Sequence, residues 1–131
     1  MKNTTSIEEA KRYLSNAKEI LSEKAGKKGE FYSDKKYVKM AGDTAWKGVL
    51  IALDVVFDVK KKPNSRVSIE DYKAAVAKRN KQILSRVDSG YQILHLYMGY
   101  DGVLSYPVCK TGLDMANFII DWCEKNVKTT A

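Results

Sequence analysis

Residues 37–57 read YVKMAGDTAWKGVLIALDVVF, and this stretch decides the fold because its apolar residues recur at the spacing of an α-helix. At about 100° per residue they form two stripes on the helix surface, roughly 140° apart. The first stripe consists mainly of small residues, namely Tyr37, Ala41, Ala45, Gly48, Ala52 and Val55. The second is bulky and consists of Trp46, Leu50, Leu53 and Phe57. A helix with two apolar faces is expected to lie at the centre of the fold or to pack one of these faces against another chain.

Three further segments with helical periodicity surround this one, separated by polar turns such as GKKGE at 26–30 and KKKPNSRVS at 60–68. Ser68 and Asp71 are spaced as in a capping box, which predicts the start of the third helix. The predicted helices span about residues 6–25, 33–59, 69–98 and 107–125. Short loops favour antiparallel neighbours, so we expect one all-α domain over 1–131, folded as an antiparallel up-down-up-down four-helix bundle.

The charge balance permits an acidic partner without requiring one. The chain has 131 residues, with 23 Lys and Arg against 16 Asp and Glu, for a net charge of +7. The lysines cluster in turns, at 27–28, 35–36 and 60–62, where they can complement helix ends or remain solvated. No run approaches the roughly 18 apolar residues that a membrane span needs, and we expect a cytoplasmic protein that does not enter a membrane.

Cysteine and histidine usage argues against a disulfide, a metal and catalysis. Fourteen helical residues separate Cys109 from Cys123, a distance of about 21 Å that predicts two free buried thiols. His95 is the only histidine, and no CxxC or HxxxH pattern accompanies it, so no zinc site is expected. It reads as a half-exposed residue on a helix flank without a catalytic partner. Neither GxGxxG nor a P-loop occurs, and we expect no cofactor.

Charged residues on the second and third helices are candidates for a ligand site. Arg79 and Arg86 lie seven residues apart at the edge of the third helix's apolar stripe. Their guanidinium groups either meet Asp43 or Asp54 from the second helix or form a fork for the phosphate or carboxylate of a ligand. Lys47 lies between the two acids, so local ion pairs are the alternative to a functional acid.

The segment MGYDGVLSYPV at 98–108 interrupts the helical pattern with two glycines and one proline. Tyr97 and Tyr100 belong to a tyrosine group around it. Aromatic residues at helical spacing are usually part of a core, but a loop tip that carries Tyr100 can also face a ligand or a partner.

The pattern of the second helix, followed by a long arginine-bearing third helix, resembles the HEPN and nucleotidyltransferase-substrate-binding bundles. The resemblance implies a four- or five-helix bundle, commonly dimeric, found as a partner of nucleotidyltransferases or as an RNA-cleaving toxin. The ribonuclease members carry an Arg-x4-6-His motif, whereas eight residues separate Arg86 from His95 here. The resemblance therefore implies a catalytically silent bundle of an uncharacterised bacterial family.

Three functional hypotheses follow. The leading one is a non-catalytic interaction module, homodimeric, that uses the bulky residues Trp46, Leu50 and Phe57 as its interface, with another protein as a further possible partner. The alternative for these residues is that the first or the fourth helix of the same chain packs on them.

The second hypothesis is a nucleotide- or RNA-binding protein, such as a nucleotidyltransferase partner or a toxin–antitoxin-like component. It would use Arg79, Arg86 and the lysine-rich turns. The third is an enzyme that uses the loop from Tyr100 to Tyr106.

Overall fold

The structure, a computed structural model, describes residues 2–57, 59 and 68–130, with side chains between residues 5 and 127 of those ranges. It confirms the all-α class and adds two very short strands. The α-helices are α1 (Lys2–Glu23), α2 (Lys35–Phe57), α3 (Ile69–Ala77), α4 (Lys81–Gly90) and α5 (Tyr106–Thr130). The strands are β1 (Lys27–Lys28) and β2 (Phe31–Tyr32), and a π-helix (Tyr91–Tyr100) continues α4. The predicted turn over 60–67 lies outside the described residues.

The connection between α1 and α2 is a β-hairpin and not the simple polar turn that its composition suggested. Gly26 and Gly29 adopt positive φ angles of 67° and 61°, a conformation that glycine takes without steric cost. Strand β1 follows Gly26, and it pairs antiparallel with strand β2, which follows Gly29. The hairpin also reaches the segment before α5, because the Tyr32 amide donates to the carbonyl of Leu104 at 2.8 Å. Both loops at this end of the molecule are therefore held by backbone hydrogen bonds.

The predicted third helix over 69–98 is interrupted. Its start is as expected: the Ser68 hydroxyl accepts from the Asp71 amide, and the Asp71 carboxylate accepts from the Ser68 amide. The helix ends at Ala77, and Asn80 caps a new helix by accepting from the amides of Gln82 and Ile83. An apolar stripe continues across this break, which is why periodicity alone predicted a single helix.

Beyond Gly90 the helix widens into the π-helix, in which i→i+5 hydrogen bonds replace the i→i+4 pattern. The π-helix packs tightly on α2 at a glycine. A Cβ atom added to Gly42 would lie 2.5 Å from the Leu94 carbonyl oxygen and 2.9 Å from the Gly99 amide nitrogen. The absence of a side chain at residue 42 therefore lets the two backbones approach closely.

Helix α2 is the central element, and it contacts α1, α5 and the π-helix. Its small-residue stripe faces α1: a Cβ at Gly48 would lie 2.9 Å from the Ala10 carbonyl oxygen and 3.1 Å from the Tyr13 Cβ. Leu53, from the bulky stripe, is fully buried in the core. None of the described helices is long and apolar enough to cross a membrane.

Candidate binding cleft

A cleft of about 520 Å³ opens between α2, α3 and the π-helix. Its walls combine aromatic, apolar and charged side chains. They are Asp43, Trp46, Lys47 and Leu50 of α2, Ile69 and Tyr72 of α3, and Tyr91 and His95 of the π-helix. This volume falls within the range of roughly 300–1,000 Å³ that is typical of small-molecule sites.

Three rings form one wall of the cleft. Tyr91 and His95 are four residues apart on the π-helix and stack with their centroids 5.3 Å apart. A π-helix has more than four residues per turn, so residues at this spacing lie nearly above one another. Trp46 meets Tyr91 edge-on at 5.6 Å and is almost fully buried, whereas the imidazole of His95 is exposed. The buried indole thus supports an accessible aromatic surface.

The rim of the cleft carries two opposite charges on consecutive turns of α2. Asp43 and Lys47 are both exposed, and the Asp43 carboxylate lies directly against Gly99. Within the described part of the chain, neither side chain takes part in a hydrogen bond or an ion pair. The pair Lys110 and Asp114, at the same spacing on α5, does form an ion pair of 3.1 Å. The local pairing expected for Asp43 and Lys47 is therefore not what the structure shows.

A hydrogen bond between α3 and α2 fixes Tyr72, which lines the cleft. The Tyr72 hydroxyl donates to Asp54 Oδ1 at 2.9 Å. Burial raises the pKa of Tyr72 strongly, and the neighbouring Asp54 carboxylate raises it further. Because the phenol remains protonated, it acts as a permanent donor that ties α3 to α2 and holds this wall in place.

Arg79 and Arg86 do not reach this cleft. The Arg79 guanidinium donates to the Val56 carbonyl at 3.2 Å and lies over the Phe57 ring at 5.3 Å. Arg86 turns toward α5, where its guanidinium lies 4.6 Å from the Phe118 ring centroid. The partners of the two guanidinium groups are a backbone carbonyl, the Met115 sulfur and aromatic rings, and not Asp43 or Asp54. The helix break at 78–80 changes the phase between the two arginines, so they do not form one fork.

The remaining predicted site residues are dispersed. Tyr97 and Tyr100 are 47% and 77% exposed and do not line the cleft. Among the proposed interface residues, Trp46 and Leu50 line the cleft, whereas Phe57 stacks on Trp122 of α5 at 5.8 Å with an interplanar angle of 7°. The structure thus joins Asp43, Lys47, Trp46 and Leu50 in one place and puts the other predicted residues elsewhere.

Sequence reasoning overlooked His95 and Tyr91 as site residues, because it treated the segment as a regular α-helix with a flank histidine. The signal available in the sequence was the spacing of four residues between the two aromatic side chains Tyr91 and His95. The sequence gives no sign that an i→i+5 pattern replaces the α-helical one here, and this pattern is what stacks the rings.

Both cysteines are free and buried, as predicted. Burial raises the pKa of Cys109 to about 11 and that of Cys123 to about 12, so neither is a ready nucleophile. Among the described residues, no group of three or more His, Cys, Asp and Glu side chains is placed to hold a metal ion.

Comparison with known proteins places the chain among proteins without an assigned role. Residues 5–125 match a family described as a domain of unknown function, DUF5618. A solved structure, described as a protein of unknown function from Dyadobacter fermentans, is 49% identical and superimposes with a TM-score of 0.89. That match covers 95% of this chain and 98% of the other. No curated protein matches. These findings fit the expected uncharacterised family and carry no sign of a HEPN relationship.

Proposed function

The chain belongs to the DUF5618 family, and we propose that it is a non-catalytic binding module whose site is the cleft between α2, α3 and the π-helix. The observation that carries this proposal is the convergence of Asp43, Lys47 and His95 on one aromatic surface. Binding sites typically combine apolar walls with a few polar groups that are available to a ligand.

The polar groups of the cleft support this proposal because they are not used elsewhere. Within the described residues, no hydrogen bond or ion pair engages the side chain of Asp43, Lys47 or His95. Some other exposed charges among the described residues are paired, for example Lys11 with Glu124 at 2.6 Å. Three uncommitted polar groups around one concave surface are available for interaction with a ligand.

Binding is favoured over catalysis by the surroundings of the only histidine. The ring neighbours of His95 are Tyr91 and Trp46, and among the described residues no hydrogen bond joins the His95 imidazole to the Tyr91 hydroxyl or to another nucleophile. Both thiols are buried on α5 with raised pKa values. A nucleophile and a base within hydrogen-bonding distance, as covalent catalysis requires, are not present among these groups.

NMR titration with a library of small planar aromatic compounds tests the proposal. We expect some compounds to shift the backbone amides around the cleft, and His95→Ala to weaken their binding severalfold. Gln92→Ala is the matched control, because Gln92 is an exposed residue of the same π-helix that does not line the cleft. Absence of cleft shifts with every compound, or equal effects of the two variants, would contradict the proposal.

A second candidate function is binding of single-stranded RNA at the hairpin end of the molecule. Phe31 and Tyr100 are 62% and 77% exposed there, and Lys27 and Lys28 lie on the paired strand. Exposed rings interleaved with lysines are typical of single-stranded nucleic-acid surfaces, on which bases stack.

Fluorescence anisotropy with a short labelled RNA distinguishes this function. Binding should weaken steeply with added salt, and Phe31→Ala combined with Tyr100→Ala should reduce it about tenfold or more, since one stacked base contributes about 1–3 kcal/mol. Phe118→Ala removes an exposed ring from α5 and serves as the control. Failure to bind even at low salt would remove this candidate.

An up-down-up-down bundle is our proposal for the overall topology, with α3, α4 and the π-helix together as one broken rod. Contacts along α2 support it: Gly42 faces Leu94, whereas Asp54 bonds to Tyr72, so the two rods run in opposite directions. Homodimerisation through Leu50, a HEPN relationship and a cytoplasmic location likewise remain hypotheses from the sequence.

A further inference from the structure

The two charges at the rim of the cleft restrict the ligands that it can take. Asp43 and Lys47 are one helical turn apart, which separates their Cα atoms by about 6 Å along α2. A purely anionic ligand would contact Lys47 but bring its charge beside Asp43, and a purely cationic one would meet the reverse conflict. A ligand with one group of each kind satisfies both side chains.

The aromatic wall adds a second restriction. The Tyr91 and His95 rings stack on the π-helix, and Trp46 of α2 lies edge-on against Tyr91. Planar groups pack on such rings with an offset-stacked or edge-on geometry, and this contributes beyond the area buried. Leu50 and Ile69 continue the wall with apolar contact. The ligand is therefore expected to carry a flat ring.

Asp43 and Lys47 lie at different positions along the cleft, so a ligand with two different charged groups has one preferred orientation. The Asp43 carboxylate packs against Gly99 of the π-helix, at a place that a Cβ atom of residue 99 would occupy, and Asp43 is exposed and lines the cleft together with His95. Lys47 is one turn closer to Leu50 and the apolar wall. Both charged side chains of the cleft, the acceptor Asp43 and the donor Lys47, therefore come from α2, whereas Tyr91 and His95 come from the π-helix.

The geometry points to a small aromatic molecule that carries both an amino group and an acidic group, with its ring against Tyr91 and His95. The amino group donates to Asp43, and the acidic group accepts from Lys47. This inference rests on the proposed binding function of the cleft and names the class of ligand. Aromatic amino acids, which carry one ammonium and one carboxylate beside a flat ring, have this chemistry.

Isothermal titration calorimetry with one matched series tests the inference. The series is tryptophan, tryptamine without the acid, indole-3-propionate without the amine, indole, and alanine without the ring. We expect loss of either charged group or of the ring to weaken binding about tenfold.

Two variants make the assignment residue by residue. Asp43→Asn should abolish the advantage of tryptophan over indole-3-propionate. Lys47→Met should abolish the advantage of tryptophan over tryptamine. Both residues are exposed, so the fold is not at risk. Asp114→Asn on α5 is the control and should leave both preferences unchanged.

The outcomes separate the inference from the function on which it rests. Equal affinity of the neutral ring compounds and the doubly substituted ones would overturn the ligand class while leaving a binding cleft. Unchanged preferences in both variants would overturn it as well. If neither these ligands nor the NMR library shifted the cleft amides, the proposed function itself would fail.

Discussion

At the scale of single residues, burial of ionisable side chains links stability to pH. Cys109 is fully buried on α5 and donates its thiol to the Val103 carbonyl at 3.7 Å. Its pKa rises from 9.0 to about 11 on burial, and that of Cys123 rises from 9.0 to about 12. Each shift means that the folded protein disfavours the thiolate, which the unfolded chain forms readily.

The stability of the protein should therefore decrease between about pH 9 and 11. Below pH 9 both thiols are protonated in the folded and unfolded chain, so their contribution is constant. Above it the unfolded chain loses these protons first, which lowers the free energy of unfolding by up to about 1.4 kcal/mol per pH unit for each thiol. Urea unfolding at pH 8, 9 and 10 measures this slope.

The control for this prediction is the double variant Cys109→Ala with Cys123→Ala. It is expected to be less stable at every pH because it leaves small cavities, but its stability should fall less steeply above pH 9. A slope equal to that of the unmodified chain would show that the thiols are not responsible.

The hydroxyl of Tyr72 provides a second residue-scale prediction. Tyr72→Phe keeps the ring in place but leaves the Asp54 carboxylate without its donor from α3. We expect the free energy of unfolding to decrease by about 1–2 kcal/mol, measured by urea denaturation at pH 7. Tyr13→Phe is the control, since Tyr13 is half-buried on α1, and its effect should stay within about 0.5 kcal/mol. A similar loss in both variants would contradict a specific role of this hydrogen bond.

At the scale of elements, the contact between α2 and the π-helix depends on Gly42. A methyl group there would meet the Leu94 carbonyl oxygen at 2.5 Å and the Met98 Cβ at 2.6 Å, and neither atom can move alone. The π-helix must shift to accommodate it, and the stacked pair Tyr91 and His95 shifts with it. Cleft shape is thus coupled to one small residue on the central helix.

Gly42→Ala should destabilise the protein by about 1–3 kcal/mol, the usual cost of overpacking a core, and should also weaken cleft binding. Gly90→Ala is the matched control, since a Cβ at that helical position meets nothing closer than 3.5 Å. Replacing a helical glycine with alanine where space allows is expected to stabilise by up to about 1 kcal/mol. Thermal and urea unfolding compare the two, and destabilisation of equal size would refute the close-contact explanation.

The sequence predicted the elements better than their interruptions. The two-faced nature of α2, the capping box at Ser68 and the buried thiols follow from local rules, and these predictions agree with the structure. The break at Asn80 was missed because Ile83 and Val87 continue the stripe begun by Tyr72 and Val76. An asparagine within a continuous apolar pattern does not by itself indicate the start of a new helix, and so Asn80 was not predicted to be an N-cap.

The candidate site was predictable only in part, because one of its walls belongs to a regular α-helix and the other does not. Asp43, Lys47, Trp46 and Leu50 belong to a regular helix, so their shared side could be derived from 3.6-residue periodicity. The opposite wall belongs to a π-helix, in which that periodicity does not hold. His95 was therefore assigned to a flank. The arginines were placed together for a separate reason, because the helix break at 78–80 was not predicted.

At the scale of the whole molecule, self-association remains the main open prediction. Leu50 is half-buried in the cleft, while Trp46 and Phe57 pack on rings within the chain. If a second copy covers this face, Leu50→Asp should convert a dimer into a folded monomer, because a buried carboxylate without a partner is costly. Light scattering gives the mass, and circular dichroism checks the fold.

Leu84→Asp is the corresponding control, as Leu84 is half-buried on α4 away from the cleft. It should leave the mass unchanged. A chain that is monomeric before substitution, or a dimer that persists in Leu50→Asp, would exclude this interface.

The backbone bonds between the hairpin and the start of α5 have a consequence for folding. Tyr32 bonds to Leu104, and the Tyr106 amide donates to the Glu30 carbonyl at 2.8 Å, so residues more than seventy positions apart are joined. Such contacts form only after a long stretch of chain has been ordered, and they bear its loop-closure entropy. The amide protons of Tyr32 and Tyr106 should therefore become protected from hydrogen exchange late in refolding. Pulse-labelling hydrogen exchange at these two amides would then report when the native fold is complete.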